Sequence, residues 1–321
     1  MLQIRMALIL LILHILAIVS IFVIKNISIY TIILQIVLFI FAMIGITVGY
    51  HRLWTHRSFE ASPFLQWVLM LFGTSAGQKD ALWWCKSHRT HHRNEDKLTD
   101  PYSITKGFFF AHIGWLLEFP DTETQKELDI TDISDLEKNE ILIFQKKYHT
   151  MLWFIVAIVL PILISKIWNE TTTNAFFSSI IRIVLVLHST YCVNSLAHMY
   201  GTKPYNSEIE PAENWFVSLI TLGEGWHNFH HTYPKDYRAS EENKYNPSAL
   251  LIDFMAQLGL ANNRYAVCEK TKNVKGFDKF NKDNYSNIDS MNNIDNYSNI
   301  DSMNNIDNIY NIDNKDIVKN N

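Results

Sequence analysis

The sequence predicts an all-α integral membrane protein: four transmembrane helices in two hairpins, closed on the cytosolic side by a helical cap. Three observations predict this. Four apolar stretches are long enough to cross a bilayer, Lys and Arg crowd to one side of them, and nine histidines lie at or beyond the span ends on that same side. Of 321 residues, 48% are hydrophobic and 19% charged, for a net charge of -4, whereas an average soluble domain carries roughly a quarter charged residues. Three cysteines (Cys85, Cys192 and Cys268) over this length make no disulfide framework. No concentrated basic footprint marks a nucleic-acid binder, so no nucleic-acid partner is expected.

The apolar stretches are residues 6–24, 30–50, 151–168 and 175–200. About 20 residues at 1.5 Å each cross a hydrocarbon core of roughly 30 Å. The richness in Ile and Val would favour strands in water, but an open sheet in lipid leaves its backbone unsatisfied, so helices are expected. The first stretch is too long for the apolar core of a signal peptide, and no small-residue cleavage site follows it. Only Lys25 falls in the first inter-span loop and no Lys or Arg in Asn169–Asn174, whereas residues 51–150 hold Arg52, Arg57, Lys79, Lys86, Arg89, Arg93 and more. The positive-inside rule therefore puts the middle segment and both termini in the cytosol. The sequon Asn169-Glu170-Thr171 then faces the lumen, too close to the bilayer to be expected in use.

Within the middle segment, residues 63–77 and 107–117 are apolar but too short to span. They read either as interfacial helices or as core helices of a cytosolic domain. At the other end, Asn284–Asp295 (NYSNIDSMNNID) recurs residue for residue as Asn296–Asp307. The repeat has no buried stripe, so residues 271–321 are expected to be a disordered low-complexity tail to a membrane domain of residues 1–270.

Histidine placement carries the chemistry. Nine of thirteen fall into His51-x4-His56, His88-x-x-His91-His92, His227-x-x-His230-His231, and His198 with Asn194 four residues before it. Residues three and four apart share a helix face, so each H-x-x-H-H box points together. His51 and His56 are about 140° apart on an ideal α-helix, which puts one of them where the helix ends. Imidazole suits Fe, Zn, Cu or Ni, and nine imidazoles exceed what one ion can use, so two metals are expected. His14, His112, His149 and His188 read as ordinary satisfied residues.

The blocks GITVGYHRLWTHRSFEA (Gly45–Ala61), HRTHHRNEDKLTDPY (His88–Tyr102), GFFFAHIGWLL (Gly107–Leu117), NSLAHMYGTKPY (Asn194–Tyr205) and GEGWHNFHHTYPKDYR (Gly223–Arg238) resemble, in order, the membrane fatty acyl desaturases, most closely the stearoyl-CoA (acyl-CoA Δ9) desaturase family. The resemblance implies a di-iron centre (two Fe2+) held by His51, His56, His88, His91, His92, His198, His227, His230 and His231, with Asn194 acting through a water. It also implies that O2, with two electrons delivered by cytochrome b5 and its reductase, converts a saturated fatty acyl-CoA into a cis-Δ9 product at the endoplasmic reticulum membrane. No cytochrome b5 domain is fused to the chain, so the donor is expected to be separate.

This chemistry agrees with the residues. Removing hydrogen from an unactivated methylene needs a redox-active metal, which Zn is not. A site beneath the bilayer lets a lipid tail enter an apolar tunnel, for which Phe39 and Met43 are candidate stoppers. Glu60, Glu95, Asp96, Asp100 and Glu224 are candidates to hold the second ring nitrogens of the ligands. The chain departs from the family at Glu118-Phe119-Pro120 and Lys86-Ser87, where basic groups or a basic–acidic pair are usual, and at Lys79 in place of Asn. Lys79 and Lys86 are either phosphate contacts or solvated lysines. An acyl-lipid desaturase or fatty acyl hydroxylase would use the same centre. A metal transporter would need metal-ligating groups inside broken spans, where, away from the span ends, only the histidines His14 and His188 lie, without a carboxylate.

Overall fold

The computed structural model describes residues 2–267, so the expected low-complexity tail lies outside the described residues. The chain is mostly helical, and four helices are long and apolar enough to cross a membrane: Ile4–Val23, Ile29–Thr55, Glu140–Trp168 and Thr172–Met199. These are the first to fourth spans below. The third starts eleven residues before the apolar stretch does, because Asn139 caps it and Glu140–Thr150 continues the helix with polar residues. Ser28 and Thr171 cap the second and fourth spans through their hydroxyls.

The turns after the first and third spans meet each other. Glu170 accepts from Ser28 N (2.8 Å), Thr31 Oγ1 (2.7 Å) and Asn174 Nδ2 (2.9 Å). Asn169, the sequon residue, is exposed in the left-handed conformation at φ 60°.

The second span does not end as an α-helix. From Gly45 to Thr55 it is π-helical, and the N–H of His56 donates to the carbonyl of His51 at 3.1 Å. Such i→i+5 bonds bring residues five apart onto one face. His56 is where the helix ends, as expected, but the π-turn replaces the α-helical separation of about 140° and leaves the His51 and His56 ring centroids 4.8 Å apart.

Close helix contact accompanies this turn. A Cβ on Gly45 would lie 2.0 Å from the backbone nitrogen of Gly73, and a Cβ on Gly73 would lie 2.3 Å from the Tyr50 ring. Gly73 belongs to the Pro63–Ser75 helix, which buries Leu65, Leu69 and Met70 while leaving Phe64, Trp67 and Leu71 exposed. Its two apolar faces explain why the sequence left it between core and interfacial readings. Gln145 of the third span locks the junction: its Nε2 donates to Tyr50 Oη (2.5 Å) and Thr74 Oγ1 (2.8 Å), and its Oε1 accepts from Ala81 N (2.9 Å). One buried amide thereby satisfies groups on three other chain segments.

Beyond the spans, the helices Ala81–Arg93 and His227–Thr232 carry the two H-x-x-H-H boxes. A two-residue antiparallel ladder, Glu60–Ala61 against Ala261–Asn262, ties the start of this region to its end.

Candidate metal centre

Burial and helical spacing converge the histidines into two adjoining groups. His51, His56, His88, His92 and His230 form one, and His91, His198, His227 and His231 the other. Within each group the potential ligand atoms all lie within 4.8 Å of one another. Each box divides itself. His88 and His92, one turn apart, go to the first group and His91 to the second; His227 and His231 go to the second and His230 to the first.

The ring nitrogens have separate tasks. Nδ1 faces a carboxylate in four rings: His51 with Glu224 (2.7 Å), His91 with Asp100 (2.8 Å), His198 with Asp96 (2.9 Å) and His231 with Glu95 (3.2 Å). Nδ1 of His88 pairs with the Tyr102 hydroxyl at 2.8 Å. A carboxylate only accepts, so His91 and His198, which hydrogen-bond Asp100 and Asp96, carry their proton on Nδ1 and turn Nε2 inward, while Nδ1 of His51 and of His231 lies at ion-pair distance from Glu224 and Glu95.

Those Nε2 atoms crowd together: His51–His230 and His230–His92 at 3.0 Å, and His92–His88 at 3.1 Å. In the other group His198–His227 is 3.0 Å and His227–His231 3.1 Å. His56 Nε2 is buried without a hydrogen-bond partner. Inward lone pairs at this separation repel unless a cation lies among them. For a metal–nitrogen bond of ~2.1 Å, ligands at right angles are about 3.0 Å apart and tetrahedral ones about 3.4 Å. The residues therefore fit two metal ions, one in each group.

Burial first, then repulsion among neighbouring rings, holds the imidazoles of His56, His88, His92, His227, His230 and His231 well below the usual histidine range. Neutral imidazole is the ligating form. His91 runs the other way: burial lowers it, but Asp100, with Asp96 and Glu95, outweighs burial and raises it.

Of the five carboxylates expected to hold ligands, four do so. Glu60 does not; it lies exposed in the short ladder, paired with Asn262. Tyr102 was missed, although it closes the same block as His88. Glu224 also receives Arg52 Nη2 at 2.9 Å, and that guanidinium is almost fully buried.

The centre opens on a cavity of about 500 Å³, lined by His51, His88, His227 and Asn194 at one part and by Leu10, Leu13, Ile46, Ile183 and Leu187 elsewhere. Gln78 bridges its wall, donating to Thr190 Oγ1 (2.8 Å) and accepting from Trp84 Nε1 (3.2 Å), a trio that sequence patterns did not single out. Phe39 and Met43 are not on this wall. They pack in the core, and the second span reaches the cavity with Ile46, Thr47 and His51 instead.

A second cavity, about 680 Å³, shares Gln3, Lys79, Trp83, Ser87, Trp115 and Leu116 with the first. Lys79 lines both, its Nζ 3.9 Å from the centroid of Trp83, while Lys86 lines only the second, with Lys106.

A family model described as fatty acid desaturase matches residues 27–238, more than half of the chain. The chain belongs to the fatty acid desaturase family. Among curated relatives of this desaturase is a Delta(9)-fatty-acid desaturase of Caenorhabditis elegans, 42% identical over 243 residues that cover 75% of this chain and 72% of the relative. An acyl-CoA Delta(11) desaturase of Choristoneura rosaceana is 44% identical over 234 residues, covering 72% and 70%. A stearoyl-CoA desaturase of Capra hircus is 40% identical over 258 residues, covering 79% and 72%.

Proposed function

We propose that this desaturase introduces a cis double bond at Δ9 into a saturated fatty acyl-CoA such as stearoyl-CoA, using O2 and a di-iron centre. The observation that carries the reading is the juxtaposition of two histidine groups with an apolar cavity that reaches their rings. His51, His56, His88, His92 and His230 would hold one iron. His91, His198, His227 and His231 would hold the other, with Asn194 completing it through a water. Two irons bound there supply the activation of O2 that attack on an unactivated methylene requires. Overall, one O2, two electrons and two protons join the two hydrogens removed from the chain to form two waters.

The chain's own residues do the rest. Glu224, Asp100, Asp96 and Glu95 fix the tautomer and orientation of their imidazoles. The apolar wall excludes water and holds one stretch of methylenes against the centre, so that proximity selects the bond attacked. Lys79 and Lys86, on the adjoining cavity, meet the phosphates of the head group.

The Lys and Arg asymmetry supports both termini and the histidine-bearing ends in the cytosol, the spans as two hairpins, and residues 1–270 as the catalytic unit. Residence in the endoplasmic reticulum membrane and electron supply by cytochrome b5 and its reductase complete the reading. Expression in a host lacking its own desaturase, with fatty acids profiled by mass spectrometry, tests it. Δ9 monounsaturates should appear and vanish with His91→Ala. A saturated profile from iron-loaded protein would overturn the proposal, and a hydroxylated product would shift it to the other chemistry of the same centre.

A further inference from the structure

Three histidines outside the metal centre, from three separate segments, form a continuous chain of hydrogen bonds. His14 of the first span meets Leu10 O through Nδ1 (2.6 Å) and His188 of the fourth span through Nε2 (2.9 Å). His188 uses its other nitrogen, Nδ1, for His112 Nε2 (2.9 Å), and His112 Nδ1 meets Ser195 Oγ (2.9 Å). The sequence reading of these residues as isolated and satisfied is corrected to this extent: they satisfy one another.

The direction of donation follows from the ends. A carbonyl only accepts, so His14 donates from Nδ1 and, when neutral, accepts on Nε2. His188 then donates from Nε2 to His14; at the other end Ser195 donates its hydroxyl proton to Tyr191 O (2.9 Å), so His112 donates from Nδ1 to Ser195 Oγ, and the link between His188 Nδ1 and His112 Nε2 is made when one of those two rings carries a second proton. Burial, then His188, holds His112 down to about 4. Tyr191 is the titratable group facing the chain, its ring 5.6 Å from that of His112 and 5.8 Å from that of His188; among the described residues no carboxylate forms an ion pair with it.

Two alternative uses fail. His188 presents different nitrogens to its two neighbours, so the three rings do not converge on a point as metal ligands must. Leu10 O cannot pass a proton on, so the chain has no exit at that end and is no conduit. What remains is a tie.

The three tied segments form one side of the acyl cavity: Met6, Ile9, Leu10 and Leu13 of the first span, Ile183, Leu187 and Tyr191 of the fourth, and Trp115 and Leu116 three and four residues after His112. The first span is the least embedded, with 11% of its apolar window buried against 50% in the fourth. Its other ties include Ser20 Oγ to Phe177 O (3.3 Å) and, just past the helix, Lys25 to Asn174 (2.9 Å) at one end, and Gln3 to Leu117 and Glu118 at the other. All three imidazoles are half-buried. Ionisable side chains inside spans are costly in lipid and mark function.

We propose that the seam between the first and fourth spans is the lateral passage by which an acyl chain moves between the cavity and the bilayer, and that His188 is its latch. The proposal rests on the acyl substrate assigned above.

The test uses full-length protein in phosphatidylcholine vesicles without reductant, so that no turnover intervenes. Bound parinaroyl-CoA is excited by energy transfer from the cavity tryptophans and displaced by excess stearoyl-CoA. His188→Leu should release the probe at least about fivefold faster. His188→Gln, which keeps one acceptor and one donor, should stay near the native rate. A His14→Cys/His188→Cys pair in a cysteine-free background, joined by a short reducible bis-thiol reagent, should release it at least about fivefold more slowly until reduced, and this holds whether or not the Leu variant folds. A rate indifferent to the cross-link, or equal in the Leu and Gln variants, would overturn the passage alone. No binding of the probe by the native protein would overturn the acyl reading and the passage with it.

Discussion

The imidazoles of His92 and His231 stack face to face, centroids 4.2 Å apart and planes 17° from parallel, although each belongs to a different histidine group. The two groups are therefore neighbours sharing a wall. Each H-x-x-H-H box crosses that wall, so losing one helix would damage both groups together. Losing a single ring should not. His56→Ala and His198→Ala lie in different groups, and each should lower bound iron from about two to about one per chain, read by plasma mass spectrometry. Loss of both irons in each variant would contradict the division.

Asp100 is fully buried and its one imidazole partner, His91, is almost equally so. Asp100→Asn keeps the shape but can present an N–H where Nδ1–H must be accepted. Desaturation should fall roughly 10–100-fold with the protein still folded. Glu60→Gln, exposed in the short ladder and without a histidine ion pair among the described residues, serves as the control and should leave activity unchanged.

In metal-free protein the six depressed imidazoles stay neutral while the unfolded chain protonates its histidines below about 6.5. The unfolded state then binds more protons, so stability is present above that value and lost as pH falls through it. His91 contributes in the opposite sense, favouring the fold at low pH and losing that contribution as pH rises through its raised value. Six rings outweigh one. Thermal denaturation of metal-free protein should show the melting temperature falling between about pH 7 and 5.5; a flat or rising profile would refute the assignment.

Lys79 and Lys86 sit on the cavity that adjoins the one at the histidines. Replacing both with Ala should raise KM for acyl-CoA about three- to tenfold while kcat is retained, most strongly at low ionic strength. An unchanged KM would return both lysines to the solvated role.

Gly45 and Gly73 admit no Cβ between the second span and the Pro63–Ser75 helix. Gly45→Ala should cost about 1–3 kcal/mol or more, because the obstructing atoms are backbone and cannot swing aside. The π-helical turn that brings His51 and His56 together should loosen with it, so iron retention and melting temperature should fall in step.

The sequence by itself determined the membrane class, the four spans and which nine imidazoles cluster. Apolar length and helical period are local properties, legible one segment at a time, and residues 88, 91 and 92 must share a face wherever their helix goes. The family resemblance added the expected chemistry. The tertiary structure alone decided how nine rings divide into five and four, because each group draws rings from segments far apart in the chain. It alone separated Glu60 from the four carboxylates that hold rings, since nearness along the chain does not fix nearness in space. The His51–His56 geometry also escaped the sequence: an α-helical period was assumed where close packing at Gly45 accompanies a π-turn. His14, His112 and His188 escaped for the plainest reason. They lie 76 and 174 residues from one another in the chain, and hydrogen bonds over such separations are set only when the spans pack.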